Sequence, residues 1–435
     1  MIVEFSVKNF RSIKELQTIS FVATGLKSPT DSSEVDDNNI DEDGGMRLLK
    51  TVGIYGANAS GKSNIIAALE YFLQAIKNEA SSESNLANLC DPFLYQDNAI
   101  NTESFFQMVL FVKGKKYRYG FTVKRNTKTK DSPEDRVSKE VIVSEWLYGT
   151  KEKNMVELFT RSGIEVKKEK LPNSEKVPPL SYEHTLFLTH SAAFDSDGDC
   201  AAIRTYMNGW ALSNFTDGLE PFRWNALYLL EHENKKKDFL NLLSSFNLKY
   251  NDIVLERDVN TPEQAIFPQN KIYLMKSFNN ERNELVDIKL NLSNNESSGT
   301  QKLFDLAGLL IRAFNSPVSA FIIIDEVDSN FHPSLLIKLI SLFNDSVLNK
   351  SKSQLLFTSH DTNLMSPSIM RRDQFYFTEK GEDDSTRLYS LADLKGIRND
   401  ADFAKQYLAG FYGALPMLDS YTNENNSPND RTLES

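Results

Sequence analysis

The sequence predicts an α/β fold: a mixed sheet around a central helix, with an inserted helical lobe. Three observations predict it. A short apolar strand, Thr51 to Tyr55, runs into a glycine-rich turn and then into an amphipathic helix from Lys62 to Lys77. Ala320-Phe321-Ile322-Ile323-Ile324 is apolar without a break and ends in Asp325 and Glu326, the pattern of a central parallel strand covered on both faces. Gln354-Leu355-Leu356-Phe357-Thr358 repeats that pattern and ends in Ser359-His360-Asp361. Polar clusters at the C-terminal ends of such strands fall where open α/β sheets bind ligands.

Length bounds the organisation. The chain has 435 residues and a formal net charge of −11 at pH 7. One core rarely grows past about 250–300 residues. A head in two parts, 1–189 and 249–418, is therefore expected, with 190–248 as the helical lobe and 419–435 as a disordered tail. No apolar run is long enough to span a bilayer, and the N-terminus has no secretory pattern, so a cytoplasmic protein with no membrane partner is expected. Cys90 and Cys200 lack metal-ligand spacing and are expected to be reduced thiols. The acidic balance argues against a surface that coats nucleic acid throughout, which leaves a local basic groove open.

The remaining elements follow in order. Val3, Phe5 and Val7 alternate with Glu4, Ser6 and Lys8, which reads as a strand; Thr18 to Val22 reads as a second. Residues 26–45 are acidic with no apolar period and are expected to be a mobile loop. Ile65, Ile66, Leu69, Phe72 and Leu73 form one face of the central helix. Phe105 to Val112 and Tyr117 to Val123 make a hairpin around Lys113-Gly114-Lys115, followed by a charged loop over 125–138. Val141 to Tyr148 and Val156 to Thr160 read as strands. Cys200 to Asn214 and Asn225 to Glu231 read as helices. Ile253 to Leu255, Lys271 to Met275 and Leu285 to Leu292 return to strand.

Gly56-Ala57-Asn58-Ala59-Ser60-Gly61-Lys62-Ser63 fits GxxxxGK[ST] in the right context, after a strand and before a helix. The glycines let backbone N–H groups converge on phosphate oxygens, and the helix N-terminus adds a favourable field. ATP is therefore expected along Gly56, Asn58, Ala59, Ser60, Gly61, Lys62, Ser63 and Asn64. Lys62 would reach the β- and γ-phosphates, and the Ser63 hydroxyl would ligate Mg²⁺. Asp325 is the second expected Mg²⁺ ligand, and Glu326 the group that polarises the attacking water. Ser298 reads as the N-cap of a helix carrying Leu303, Leu306, Ala307, Leu310, Ile311 and Phe314 at helical spacing. The Ser298-Gly299 start offers bare N–H groups to an anion.

Read in this order, the motifs resemble ABC-type ATPase heads. MIVEFSVKNFRSI and GANASGKSN resemble RecF- and SMC-like heads; ESSGTQKLFDL, IIIDEVDSNFHPSL, QLLFTSHDTNLM, RRDQFYFTEK and YLAGFYGALPML are similar to the RloA/AbiLi group of bacterial AAA-15 ATPases. The resemblance covers about 1–24, 46–125 and 250–417. It implies that Ser298 and Gly299 bind the γ-phosphate of ATP held by a second copy, so that two chains close head-to-tail, as a dimer or higher homo-oligomer. It implies that His360 contacts the γ-phosphate or the attacking water, and that the segment around His332 crosses the dimer interface. Arg11 resembles an arginine near the nucleotide, and Gln96 stands as the candidate γ-phosphate sensor at the metal. Gly410-Phe411-Tyr412-Gly413-Ala414 carries Phe where the group usually has Arg.

The same resemblance implies an ATPase of bacterial anti-phage defence acting with a separate effector, such as an RloB-like TOPRIM nuclease. No TOPRIM domain is expected in the stretch after His360. A phage component or DNA is a further candidate partner. Lys113, Lys115, Lys116, Arg118, Lys124, Arg125, Lys128 and Lys130 interleave with Tyr117 and Tyr119, which reads either as a nucleic-acid track or as a solvated hairpin edge. Two other functions stay open: a RecF-like DNA-repair ATPase, and a nucleotide-gated scaffold with negligible turnover.

Overall fold

The computed structural model describes residues 1–78, 90–97, 99–125, 140–152, 154–217, 219–232, 235–257, 270–329 and 331–415. Two large sheets sandwich one helix. The first is antiparallel and seven-stranded, in the order Glu165–Lys167, Asn154–Ser162, Glu140–Lys151, Lys115–Arg125, Ser104–Val112, Ile2–Lys8, Gln17–Ser20. The second is six-stranded, in the order Ala211–Asn214, Phe321–Asp325, Gln354–Thr358, Thr51–Gly56, Phe375–Lys380, Thr386–Ser390. Its first five strands are parallel, and only Thr386–Ser390 runs against its neighbour.

The Lys62–Lys77 helix lies between them and buries Ile65, Ile66, Leu69, Phe72 and Ile76. Phe72 stacks on Phe121 at 5.6 Å and meets Phe5 edge-on at the same separation. Alternate residues of the parallel strands serve different cores. Phe321, Ile323 and Leu356 face the central helix. Ile322, Ile324, Leu355 and Phe357 face the Ser298–Asn315 and Pro333–Asn344 helices. That two-sided burial is why these strands read as unbroken apolar runs.

Three expectations are corrected. Residues 26–45 are ordered: they hold the Glu34–Asn38 helix and the hairpin Ile40–Asp43 with Met46–Leu49. The reason is a distant arginine. Arg371, 2% exposed on its side chain, pairs with Asp36 and Asp373 and donates to the carbonyls of Thr24 and Leu26. Ser28 also donates to Asp36. Local composition could not reveal a partner more than three hundred positions away. Second, the helix expected from Cys200 to Asn214 ends at Asn208, and Ala211–Asn214 is a strand beside the acidic strand; pairing with the central sheet overrides helical pattern there. The stretch 190–248 thus combines helices, among them Arg223–His232 and Lys236–Ser245, with one strand of the core sheet. Third, Tyr117 and Tyr119 point into the core at 2% and 0% exposure. Lys116, Arg118 and Lys124 take the opposite face, while Lys115 stays on the side of Tyr117 and donates with it to Asp199, so the two tyrosines do not interleave with an exposed basic row. The charged loop over 125–138 and the tail 419–435 fall, apart from Arg125, outside the described residues.

Candidate nucleotide site

The parallel strands all point their C-terminal ends at one edge, four of them ending at Asn214, Asp325, Thr358 and Gly56, with Thr378 of the neighbouring strand opposite Gly56. The phosphate loop leaves this edge with a backbone that needs glycine. Gly56 has φ +150°, and a Cβ there would sit 2.5 Å from the Thr378 carbonyl oxygen. Gly61 has φ +106°, and a Cβ there would run into the Thr386 hydroxyl. Ser60 locks the loop through a 2.6 Å hydrogen bond with Thr378 Oγ1.

A cavity of about 500 Å³ opens over the loop, lined by Asn58, Ala59, Gly61, Lys62, Ser63, Asn64, Glu326 and His360. The fold thus gathers residues far apart in the chain onto one wall. Lys62 Nζ donates to the carbonyls of Gly56 (2.9 Å) and Ala57 (3.0 Å). Burial lowers its pKa, while Asp325, Asp328 and Glu326 pull the other way. Asp325 lies just behind the wall, buried, and accepts the Thr358 hydroxyl.

Glu326 is held in place. Its backbone sits at φ +52°, the left-handed region, which costs a non-glycine residue roughly 1–2 kcal/mol. Its N–H donates to Thr358 Oγ1 at 2.8 Å, and its carboxylate accepts from Thr216 Oγ1 at 2.7 Å. Strain kept at a residue beside a phosphate loop fits a functional position. The His360 N–H donates to Asp328 Oδ2 at 3.0 Å. Partial burial and the nearby Lys62 lower the pKa of its imidazole, against the opposing pull of Asp328, Glu326 and Asp325. Asp328 Oδ1 is buried with no hydrogen-bond partner.

The other expected residues lie off this wall. Ser298 and Gly299 open the Ser298–Asn315 helix, with Ser298 exposed. The cap is Ser297, not Ser298: Ser297 Oγ accepts from the Thr300 N–H at 3.2 Å, because Ser297 keeps the extended backbone and Ser298 is already helical. Arg11 stands at φ +49°, its guanidinium near Asp91 and the Phe10 ring. Its neighbour Ser12 accepts from Asn64 Nδ2 at 2.6 Å, beside the loop. Gln96 donates its amide to Asn9 Oδ1 at 2.9 Å. His332 caps the Pro333–Asn344 helix.

Sequence reading missed Thr358, Thr216, Asn214 and Thr386. Thr358 was legible as the last residue of an apolar strand; Asn214 ends, and Thr216 follows, a four-residue strand too short and polar to be read.

The residues present fit the groups the loop implies. Gly61, the helix N-terminus and the Lys62 ammonium make an anion cradle, and Ser63 with Asp325 supplies hard oxygen donors of the kind Mg²⁺ takes. Fold and loop together define a P-loop ATPase of α/β type. A family model described as "AAA domain, putative AbiEii toxin, Type IV TA system" matches residues 52–366. The match spans well over half of the sequence, and the chain belongs to this AAA-domain family of nucleotide-binding ATPases. No curated protein matches the chain. Among the described residues no helix is long and apolar enough to cross a membrane.

Proposed function

We propose that the protein binds ATP and Mg²⁺ in this cavity, hydrolyses the γ-phosphate, and does so as a head-to-tail homodimer. One observation carries the reading: Glu326 and His360 share a wall with the phosphate loop, while the start of the Ser298–Asn315 helix is exposed and absent from that wall. A helix N-terminus with free N–H groups is an anion site in want of an anion, and a second copy's nucleotide is the occupant proposed for it.

Bound Mg²⁺, held by Ser63 and Asp325, would neutralise developing charge on the phosphates. Lys62 would turn its ammonium from the Gly56 and Ala57 carbonyls toward phosphate oxygens. Glu326 would accept a hydrogen bond from water and align it. His360, neutral at pH 7 by the direction of its shift, would hydrogen-bond beside it.

Phosphate release and light-scattering mass test this together. Glu326→Gln is expected to cut turnover by about 10²–10⁴-fold and to accumulate an ATP-bound dimer. Turnover equal to wild type removes Glu326 from its role. Negligible wild-type turnover with ATP-driven assembly favours a scaffold. The wider role we propose is an ATP-driven sensor that governs a separate effector, such as a nuclease, in anti-phage defence. The family description, which names a toxin and a toxin–antitoxin system, and the resemblance to defence ATPases support it. Co-purification from the native operon tests it. An effector that binds Glu326→Gln and wild type differently in ATP is expected; purification of the ATPase alone, with saturable DNA-stimulated turnover, favours the RecF-like alternative.

A further inference from the structure

We propose that residues 214–217 form a bridge through which the Ser298–Asn315 helix sets the position of Glu326 in its own protomer, with Lys302 and Thr216 as the positioning residues. The inference rests on the reading of Glu326 given above and deepens it.

The bridge is anchored on three sides. It continues the Ala211–Asn214 strand, whose register places Asn214 opposite Asp325. The Phe215 N–H then donates to the Asp325 carbonyl at 3.0 Å. The Phe215 ring is fully buried and meets Phe331 edge-on at 5.3 Å, in the segment that leads from the acidic strand to the next helix. The third anchor is Lys302, one turn into the helix that starts at Ser298. Lys302 is buried, and its ammonium donates to the Phe215 carbonyl. Burying an ammonium is costly, and an apolar side chain would fill the space at less cost. What the ammonium adds is a fixed tie between that helix and residue 215.

The next residue carries the tie to the site. Thr216 has one hydroxyl proton and two acceptors in reach: Glu326 Oε2 at 2.7 Å and Asn214 Oδ1 at 2.6 Å. The Thr216 N–H also donates to Asn214 Oδ1 at 2.8 Å, which fixes that oxygen's orientation. The hydroxyl therefore holds Glu326 only while the bridge keeps it in place. A shift of the helix would move Lys302, the Phe215 carbonyl and the Thr216 hydroxyl together. Because the same helix begins at Ser298, engagement of a partner's nucleotide there would reset Glu326 in the other site of the dimer.

The test uses the full chain with Mg²⁺ and ATP, reading turnover and ATP affinity separately. K302M and T216V are each expected to lower kcat by about tenfold and leave the ATP Kd within about twofold, since neither residue itself lines the cavity. The double variant is expected to be no slower than the slower single, because the two act in series. T216S, which keeps the hydroxyl, is expected to recover most of the loss. Thr216 is exposed, so T216V serves even where K302M fails to fold. The proposal is overturned by a kcat within twofold of wild type in T216V, or by effects that multiply in the double variant. Where wild type itself releases no phosphate, the function proposed above has failed, and the bridge is read by hydrogen exchange instead. Faster exchange over 214–217 in K302M supports it, and unchanged exchange overturns it.

Discussion

The two large sheets divide the labour of the molecule. The seven-stranded sheet is antiparallel and packs one face on the central helix; its strands alternate, as in Lys115–Arg125, where Tyr117, Tyr119, Phe121 and Val123 go inward. The central strands of the other sheet, Phe321–Asp325, Gln354–Thr358 and Thr51–Gly56, are buried on both faces, and five of its six strands run in parallel. Parallel strands deliver all their C-terminal ends to one edge, and there the phosphate loop, Asp325, Glu326 and His360 meet. Antiparallel strands send successive ends to opposite edges and gather nothing comparable. The antiparallel sheet holds a buried ion pair. Glu145 and Arg161 are both fully buried, 3.3 Å apart, and Glu145 also accepts from the Phe187 and Leu188 N–H groups at a helix start. Burial pushes the Glu145 carboxyl up, with Arg161 opposing. One sheet is therefore expected to fail chemically when altered, and the other to fail in stability.

The largest expected effect sharpens that division. Lys62→Ala should abolish ATP binding, measured by calorimetry, with little change in melting temperature in the absence of nucleotide. Substantial ATP binding in that variant would break the assignment of the parallel edge. Arg161→Met should do the converse. Leaving Glu145 buried without its cation costs about 3–5 kcal/mol, seen in denaturant midpoint, while turnover per folded molecule stays near wild type. A loss of turnover at unchanged stability would mean that the antiparallel sheet reaches the chemistry directly.

A smaller effect is electrostatic. His360 should titrate below the ordinary imidazole value of 6.5, chiefly through burial and next through Lys62. A depressed pKa contributes stability above the ordinary value, and that contribution is lost as pH falls toward the folded pKa. Removing Lys62 should raise the His360 pKa, followed by proton NMR; a fall would contradict the geometry. The smallest effect concerns the outer face of the antiparallel sheet. Arg118 lies over the Tyr148 ring at 4.8 Å, so Arg118→Ala should cost about 0.5–1 kcal/mol and leave ATP turnover alone.

How much was legible depended on whether the signal was local. The phosphate loop, the central helix and the two apolar strands were legible as elements, because each has its own periodicity and its own punctuation. Their convergence on one cavity wall followed from parallel topology. The acidic stretch 26–45 was misread as mobile, because the arginine that orders it sits at position 371. The cap was placed one residue late, since Ser297 and Ser298 are equally good caps and only backbone conformation separates them.

By itself, the sequence determined the class of fold and the place of the phosphate-loop motif between a strand and a helix, since an unbroken apolar run and a glycine turn each carry their physical reason in consecutive residues. Only the tertiary structure decided which hydroxyls hold Glu326. Thr358 arrives from a neighbouring strand and Thr216 from beyond a strand of four residues. Hydrogen bonds between groups remote in sequence leave no periodic trace along the chain; they exist only once parallel strands have set those ends side by side.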